Sequence, residues 1–487
     1  MSILKGGLLK ILSQEDIYEL HLATLDLLGR GVFIDEEQIL SDLEAAGAIV
    51  NYVTRKAKLP DYLVEECIRK APSRLEVHGR DPKKCVKLEG KRVYTHNGGT
   101  TTYIVDPDNE KRREGLQQDI RETTRLMDAL KQVDACSPLV TCSDVPPALI
   151  SIISLKEMIE NTMKPVYLNT ISSAEEARFF IRMGVLVSAG AEEFRKNPWP
   201  QPGISPVSPL KFEKKISQAI HVCAKNGLPI GMLPAPISGA SGPMTLAGML
   251  VLQNAEILTG LTIVQIVNPG TPVIYAARAS TLDMRTALNC WGSPELGIMG
   301  ACAVQLAQYY NLPSDVYGVS TDAKLPDAQV GYEKAFNGLL PALTGANFIS
   351  GMGLLGGDTS SYEQLVIDNE LFGMIFRTLR TPIFPIDDDA LALDVIEHVT
   401  NLEGGTFLAQ PHTRDYFRRG EHWMPDYRIS ERNSADEWMK LGERDIADRA
   451  REVTKEILKE HHPEPLDKDV REELDNLVRQ AHEELVT

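Results

Sequence analysis

Residues 316–320 form a β-prone run, and Thr321-Asp322-Ala323-Lys324 follows it at once with a hydroxyl, a carboxylate and an ammonium. A little further on, Gly351-Met-Gly-Leu-Leu-Gly356 fits G-x-G-x-x-G between a strand-like run and a helix-like one, the pattern of a dinucleotide or phosphate loop. The acidic residue such a loop needs about 20 positions later is not evident. Glycines at Gly351, Gly353 and Gly356 also serve a tight turn and the close approach of another molecule. Other polar side chains sit where short apolar runs end: His96 and Asn97, Asn169 and Thr170, Tyr275 and Arg278, and Ser320. Glu295, in Gly-Ser-Pro-Glu, opens a helix, where it either reaches the same site or simply favours the helix dipole. Gly-x-Ser-x-Gly, His-Glu-x-x-His and a P-loop are all absent, which removes support for the common hydrolase, zinc-protease and NTPase chemistries.

The elements that must position these groups alternate. Apolar runs recur at 139–142, 165–169, 203–207, 229–233, 272–275, 316–320, 347–350 and 382–385. Helix-compatible segments lie between them at 149–161, 174–189, 210–226, 245–260, 294–310, 329–343 and 362–379. Eight strands with helices between suit an α/β fold of the (β/α)8 TIM-barrel kind better than two Rossmann-like halves. In a barrel, polar groups at the carboxyl ends of strands share one face, where the chemistry sits. Residues 1–105 read as helices followed by a small β-rich segment, with Ser13 capping the first helix and Asp35 the second. The barrel is assigned to 106–390, and 391–487 is a charged helical extension with an apolar stripe at Trp438, Leu441, Ile446, Ala450, Val453 and Ile457.

The chain has 487 residues and 43% hydrophobic content, enough for a large core. A formal charge of −17 argues against nucleic acid or an anionic membrane as partner. The seven cysteines are scattered without a Cys-x-x-Cys or His/Cys cluster, so neither a disulfide framework nor a metal site is expected. The N-terminus lacks a secretory pattern, and Gln253, Asn254 and Glu256 interrupt the longest apolar stretch, 245–267. The expectation is a soluble, cytoplasmic enzyme acting on a small molecule.

Several stretches carry a family resemblance: His21-Leu-Ala-Thr-Leu, Ala46-Gly-Ala, Ala71-Pro, Pro411-His-Thr, Trp438-x-x-x-Gly442, and Asp322-Ala-Lys-Leu-Pro-Asp-Ala-Gln-Val-Gly-Tyr-Glu-Lys. With these, almost the whole chain resembles the trimethylamine methyltransferase family. The resemblance implies a (β/α)8 barrel that moves a methyl group from an amine to the Co(I) corrinoid of a separate protein, with no cofactor of its own and as a homo-oligomer. The founding members carry pyrrolysine near the strand end corresponding to 320–329, whereas every residue here is an ordinary one. The resemblance is therefore to the branch without pyrrolysine, which acts on quaternary amines: glycine betaine, with proline betaine, carnitine and γ-butyrobetaine as relatives. Under that reading, aromatic faces would hold the cation, with Tyr94, Tyr275, Trp291, Tyr332 and Phe348 as candidates. Arg278 and His96 would meet a carboxylate, Asp322 or Glu295 would balance the ammonium, and Gly351, Gly353 and Gly356 would admit the partner's corrin. A phosphate- or nucleotide-dependent barrel enzyme using the Gly351 loop is the alternative from another class, and a non-catalytic partner of the corrinoid protein is another.

Overall fold

Most amphipathic segments become helices close to where their periodicity places them. The computed structural model describes residues 4–81, 83–168, 170–188, 190–380 and 386–486. Helices Ile150–Asn161, Ala174–Val187, Lys214–Lys225, Leu246–Val267, Pro294–Tyr309, Ala328–Thr344 and Tyr362–Thr378 alternate with short parallel strands. The strands form a seven-stranded sheet in the spatial order Tyr94–Thr95, Phe348–Ser350, Ser314–Tyr317, Val273–Ala277, Ile230–Met232, Gln201–Ile204, Tyr167–Leu168. Every neighbouring pair in it is parallel. Single-residue parallel bridges, His96 to Ala135 and Cys136 to Val166, join the two edges of this sheet through residues 135–136.

Two sequence expectations shift here. The run at 139–142 is not the first strand of the sheet: Val140 bridges Thr101, and the sheet takes its first strand from Tyr94–Thr95. The segment 1–105 is thus stitched into the central sheet rather than standing apart from it. Two polar residues, Tyr94 and Thr95, make too short a run to register as a buried strand by periodicity. The expected strand at 382–385 lies outside the described residues, as does Asn169.

Helix Leu246–Val267 does not stop at Gly260 as its sequence suggests. A Cβ there would come within 2.2 Å of the Met232 methyl, so the glycine lets the helix lie close on strand Ile230–Met232. Among the described residues it is the one helix long and apolar enough to cross a membrane, and it is mostly buried within the fold. Its polar interruptions are internal fastenings. Gln253 Oε1 accepts the Ala279 N–H at 2.7 Å, and Asn254 donates to Thr24 Oγ1 and accepts from the Tyr275 hydroxyl. Glu256 accepts from Ser208 and from the Leu210 N–H. The N-terminal helices Gln14–Arg30, Glu37–Ala45 and Asp61–Lys70 pack on the same helix. Ser13 and Asp16 form the capping box of the first. Asp35 does not cap the second: it pairs with Arg55, and the cap position is Glu36.

The amino ends of the strands are closed by the hairpin of strands Arg74–His78 and Cys85–Glu89. Its inner face, Leu75, Val77, Val86 and Leu88, packs on Ala135, Tyr167, Ile274 and Phe348 inside the sheet. At the other end of the chain, helix Ile446–Glu460 lies on Tyr362–Thr378 and Gln117–Ala129, and helix Lys468–Leu485 on Ala174–Val187 and Ile150–Asn161.

Candidate active site

One carboxylate gathers the polar interior of the sheet. Asp315, on strand Ser314–Tyr317, is fully buried. Its Oδ2 accepts from Arg278 Nη2 at 2.5 Å, and its Oδ1 lies 3.1 Å from His96 Nε2. Arg278 follows strand Val273–Ala277 directly, and its Nη1 also donates to the carbonyls of Asp315 (2.9 Å) and Ala277 (3.0 Å). His96 follows strand Tyr94–Thr95, so the triad joins two strand ends to a carboxylate inside the strand between them in the sheet's polar interior. Burial pushes the Asp315 carboxyl up, but Arg278 and His96 outweigh it and hold the pKa at about 2. The Arg278 guanidinium loses by burial and gains more from Asp315, so it stays charged. A buried, hydrogen-bonded ion pair of this kind is fixed in place, because freeing either partner would leave a bare charge.

Aromatic rings enclose the triad. The His96 ring lies 4.9 Å from both Tyr167 and Phe348. Arg278 stands over the Tyr317 ring at 4.6 Å, and Tyr317 meets Trp291 edge-on at 5.3 Å and 90°. Trp291 is held by Asp322, whose two carboxylate oxygens accept the backbone N–H groups of Trp291 and Gly292, each at 2.9 Å. Asp322 is fixed in turn by Glu333, which accepts its N–H at 2.9 Å and the Thr321 hydroxyl at 2.5 Å. Among the buried polar groups with no hydrogen-bond partner in the described residues are the Tyr167 hydroxyl, both amide atoms of Gln201 and the Ser320 hydroxyl. Buried groups of this kind call for a ligand or water.

Of the residues singled out in the sequence, the structure brings His96, Arg278 and Phe348 into one cluster, with Trp291 and Asp322 beside it through Tyr317. Others fall elsewhere. Tyr275 faces the helical layer, where its hydroxyl donates to Asn254 at 2.9 Å and its ring stacks near Tyr310. Tyr332 is 64% exposed on helix Ala328–Thr344. Tyr94 lines a separate cavity of ≈ 470 Å³ with Asp134, Lys131 and Trp423. Glu295 is half-buried in the first turn of helix Pro294–Tyr309. Gly351, Gly353 and Gly356 are buried. Their loop runs into strand Leu354–Leu355 instead of a helix. The Gly351 N–H is spent on the Asn97 carbonyl and that of Gly353 on Asp368. These amides are not free to cradle a phosphate, which removes the geometry a nucleotide loop requires.

Asp315, Tyr317, Tyr167, Gln201 and Glu333 were not singled out as site residues in the sequence. Asp315 had a readable signal: an acid inside an otherwise β-prone run has to find a buried cation. Placing the strand start at 316 put it outside the run.

The trimethylamine methyltransferase family matches residues 4–486. The chain belongs to that family, and it is an amine methyltransferase. It is 35% identical over 474 residues to the trimethylamine methyltransferase MttB of Desulfitobacterium hafniense, covering 97% of this chain and 94% of the relative. It is 33% identical to the Methanosarcina barkeri trimethylamine methyltransferase MttB (98% and 96% covered) and 30% identical to a glycine betaine methyltransferase of Desulfitobacterium hafniense (98% and 98%). Among solved structures, the Methanosarcina barkeri monomethylamine methyltransferase matches with a TM-score of 0.53 at 13% identity, covering 93% of this chain and 89% of that one. Its hydroxylamine complex matches at 0.54 and 14%, covering 92% and 88%. These likenesses bear on fold alone.

Proposed function

We propose that this enzyme transfers a methyl group from a quaternary amine of the glycine betaine type to the Co(I) corrinoid of a cognate partner protein. The observation that carries the reading is the juxtaposition at the strand ends of a fixed guanidinium, Arg278, with the aromatic pair Tyr317 and Trp291. A betaine presents a carboxylate and a quaternary ammonium in one small molecule, and the cluster offers a cation and aromatic faces side by side. The full-length likeness to a glycine betaine methyltransferase supports the same reading. A quaternary ammonium already bears the charge that makes its amine a leaving group, so no side chain need supply a proton. What remains for the protein is to strip water from the cation and aim one methyl, which is orientation and desolvation. In this scheme Trp291 and Tyr317 hold the ammonium and Asp322 and Glu333 hold Trp291. The partner's Co(I) would supply the electron pair for the new Co–C bond while the C–N bond breaks and its electrons stay on the departing neutral tertiary amine. The corrinoid belongs to the partner, and its mode of approach is part of the proposal.

The architecture fits a closed eight-stranded parallel barrel, with residues 135–136 as its second strand. A homo-oligomer is part of the same reading. Between 388 and 440 the helices bury only Val399 within the chain, while Leu393, Phe407, Leu408 and Phe417 are exposed. Proline betaine, carnitine or γ-butyrobetaine is the second reading for the donor. Thermal unfolding with each amine separates them: the true donor at about 100 times its Kd adds roughly 2.7 kcal/mol of stability. Stabilisation by trimethylamine alone would overturn the quaternary-amine reading.

A further inference from the structure

The outer face of the hairpin that closes the strands' amino ends carries three side chains of metal-ligating type. Glu76 and His78 are two apart on one strand and so share a face. Cys85 stands directly opposite His78 in the antiparallel register. The inner face of the same hairpin is the apolar set Leu75, Val77, Val86 and Leu88. His78 Nε2 lies 3.9 Å from Glu76 Oε2, and Cys85 Sγ lies 4.0 Å from each of those atoms. A tetrahedral zinc ion with bonds of about 2.0–2.3 Å separates such ligand atoms by roughly 3.3–3.6 Å. The triangle is therefore about half an ångström too wide on each edge, within reach of side-chain rotation on a paired hairpin.

We infer that Glu76, His78 and Cys85 form a binding site for a thiophilic divalent cation such as Zn²⁺, bridging the two strands of the hairpin. The donor set of one thiolate, one imidazole and one carboxylate suits a borderline-soft ion rather than Mg²⁺ or Ca²⁺. Lys87 donates to Glu76 Oε1 at 2.9 Å, which leaves Oε2 turned toward the other two ligands and fixes the carboxylate as an outer partner does. Cys85 and His78 are half-buried and Glu76 is exposed, so a water completes the fourth position from the solvent side. On binding, the Cys85 S–H bond breaks, the proton passes to buffer and the sulfur's electron pair forms the metal bond. Because a ligating thiol must lose its proton, metal binding strengthens as pH rises. The site lies on the solvent side of the hairpin whose inner face packs on Tyr167 and Phe348, and it does not depend on the reaction proposed for the cluster beneath. Its sequence trace, Glu-x-His followed seven residues later by Cys, matches no standard zinc spacing, and only the hairpin register brings the three together.

The test uses Co²⁺ as a coloured probe for Zn²⁺ on the full-length, reduced protein. Near-ultraviolet thiolate-to-cobalt absorption should grow with one equivalent and vanish on adding Zn²⁺, and Zn²⁺ should raise the unfolding temperature. In Cys85→Ser the band should be lost, and in His78→Ala the apparent affinity should fall at least about tenfold. Both variants should keep the parent's unfolding temperature in chelator to within a few degrees, which separates lost binding from lost folding. No thiolate band at excess Co²⁺, or a band of equal strength in Cys85→Ser, would overturn the assignment.

Discussion

The Asp315–Arg278–His96 cluster and the Trp291–Tyr317 pair make different demands, and substitutions tell them apart. Asp315→Asn leaves the Arg278 guanidinium buried without its counter-charge and should cost about 3 kcal/mol or more in urea unfolding. The same pair sets an acid limit. A folded pKa of about 2 lies below the unfolded value of about 3.9, so the stabilisation is complete above the latter and lost as pH falls from about 4 to 2. A titration of stability against pH should show that loss in the parent and not in Asp315→Asn. Trp291→Ala should behave otherwise, raising the KM for the amine about two- to thirty-fold with a smaller effect on kcat, as expected for the loss of a cation–π contact of about 0.5–2 kcal/mol. At this scale the sequence was half legible. His96, Arg278 and Asp322 stood out because each ends or follows an apolar run, and Trp291 only as an aromatic face for the cation under the family resemblance. Tyr275 stood out for the same reason and misled, because alternation along a strand does not say which face meets the interior and which the helices. The role of Asp322 was likewise hidden: whether a carboxylate faces a ligand or clamps two backbone amides depends on a loop about 30 residues away in the chain, at Trp291 and Gly292.

Helices were more legible than single side chains. Segments 294–310, 329–343 and 362–379 appear as Pro294–Tyr309, Ala328–Thr344 and Tyr362–Thr378, because long apolar periodicity decides a helix. The glycine loop was the opposite case: G-x-G-x-x-G describes glycine spacing and not where the amides point. What fixes that loop is a fully buried pair, Lys334 Nζ to Asp368 Oδ2 at 2.6 Å, on the two helices either side of it. The same Asp368 oxygen takes the Gly353 N–H at 2.7 Å, and Gln364 donates to its other oxygen. Lys334→Met or Asp368→Leu alone should each cost about 3–5 kcal/mol, since each strands a buried charge. The double substitution should cost much less than the sum of the two, and a double-mutant cycle in denaturant reads the difference. A sum equal to the two single costs would mean that the pair does not act as a unit.

For the molecule as a whole, the alternation of strands and helices and the full-length family likeness agree, while two features needed the folded chain. The first strand of the sheet comes from the segment before 105, and the hairpin closing the amino ends comes from a region without any periodic signal of chemistry. Both are short β elements, whose pairing is set by distant partners rather than by their own residues. The arrangement leaves one end of the sheet sealed and gathers the polar groups and aromatic faces at strand ends, as a methyl donor held against an incoming nucleophile would need. The most direct test is spectral. A corrinoid protein reduced to Co(I) is mixed with this enzyme and, separately, with glycine betaine, proline betaine, carnitine, γ-butyrobetaine and trimethylamine. Loss of the Co(I) band with growth of methyl-Co(III) is expected for glycine betaine or one of the other three quaternary amines. Turnover with trimethylamine alone, or silence with every amine beside a corrinoid partner of proven competence, would contradict the assignment.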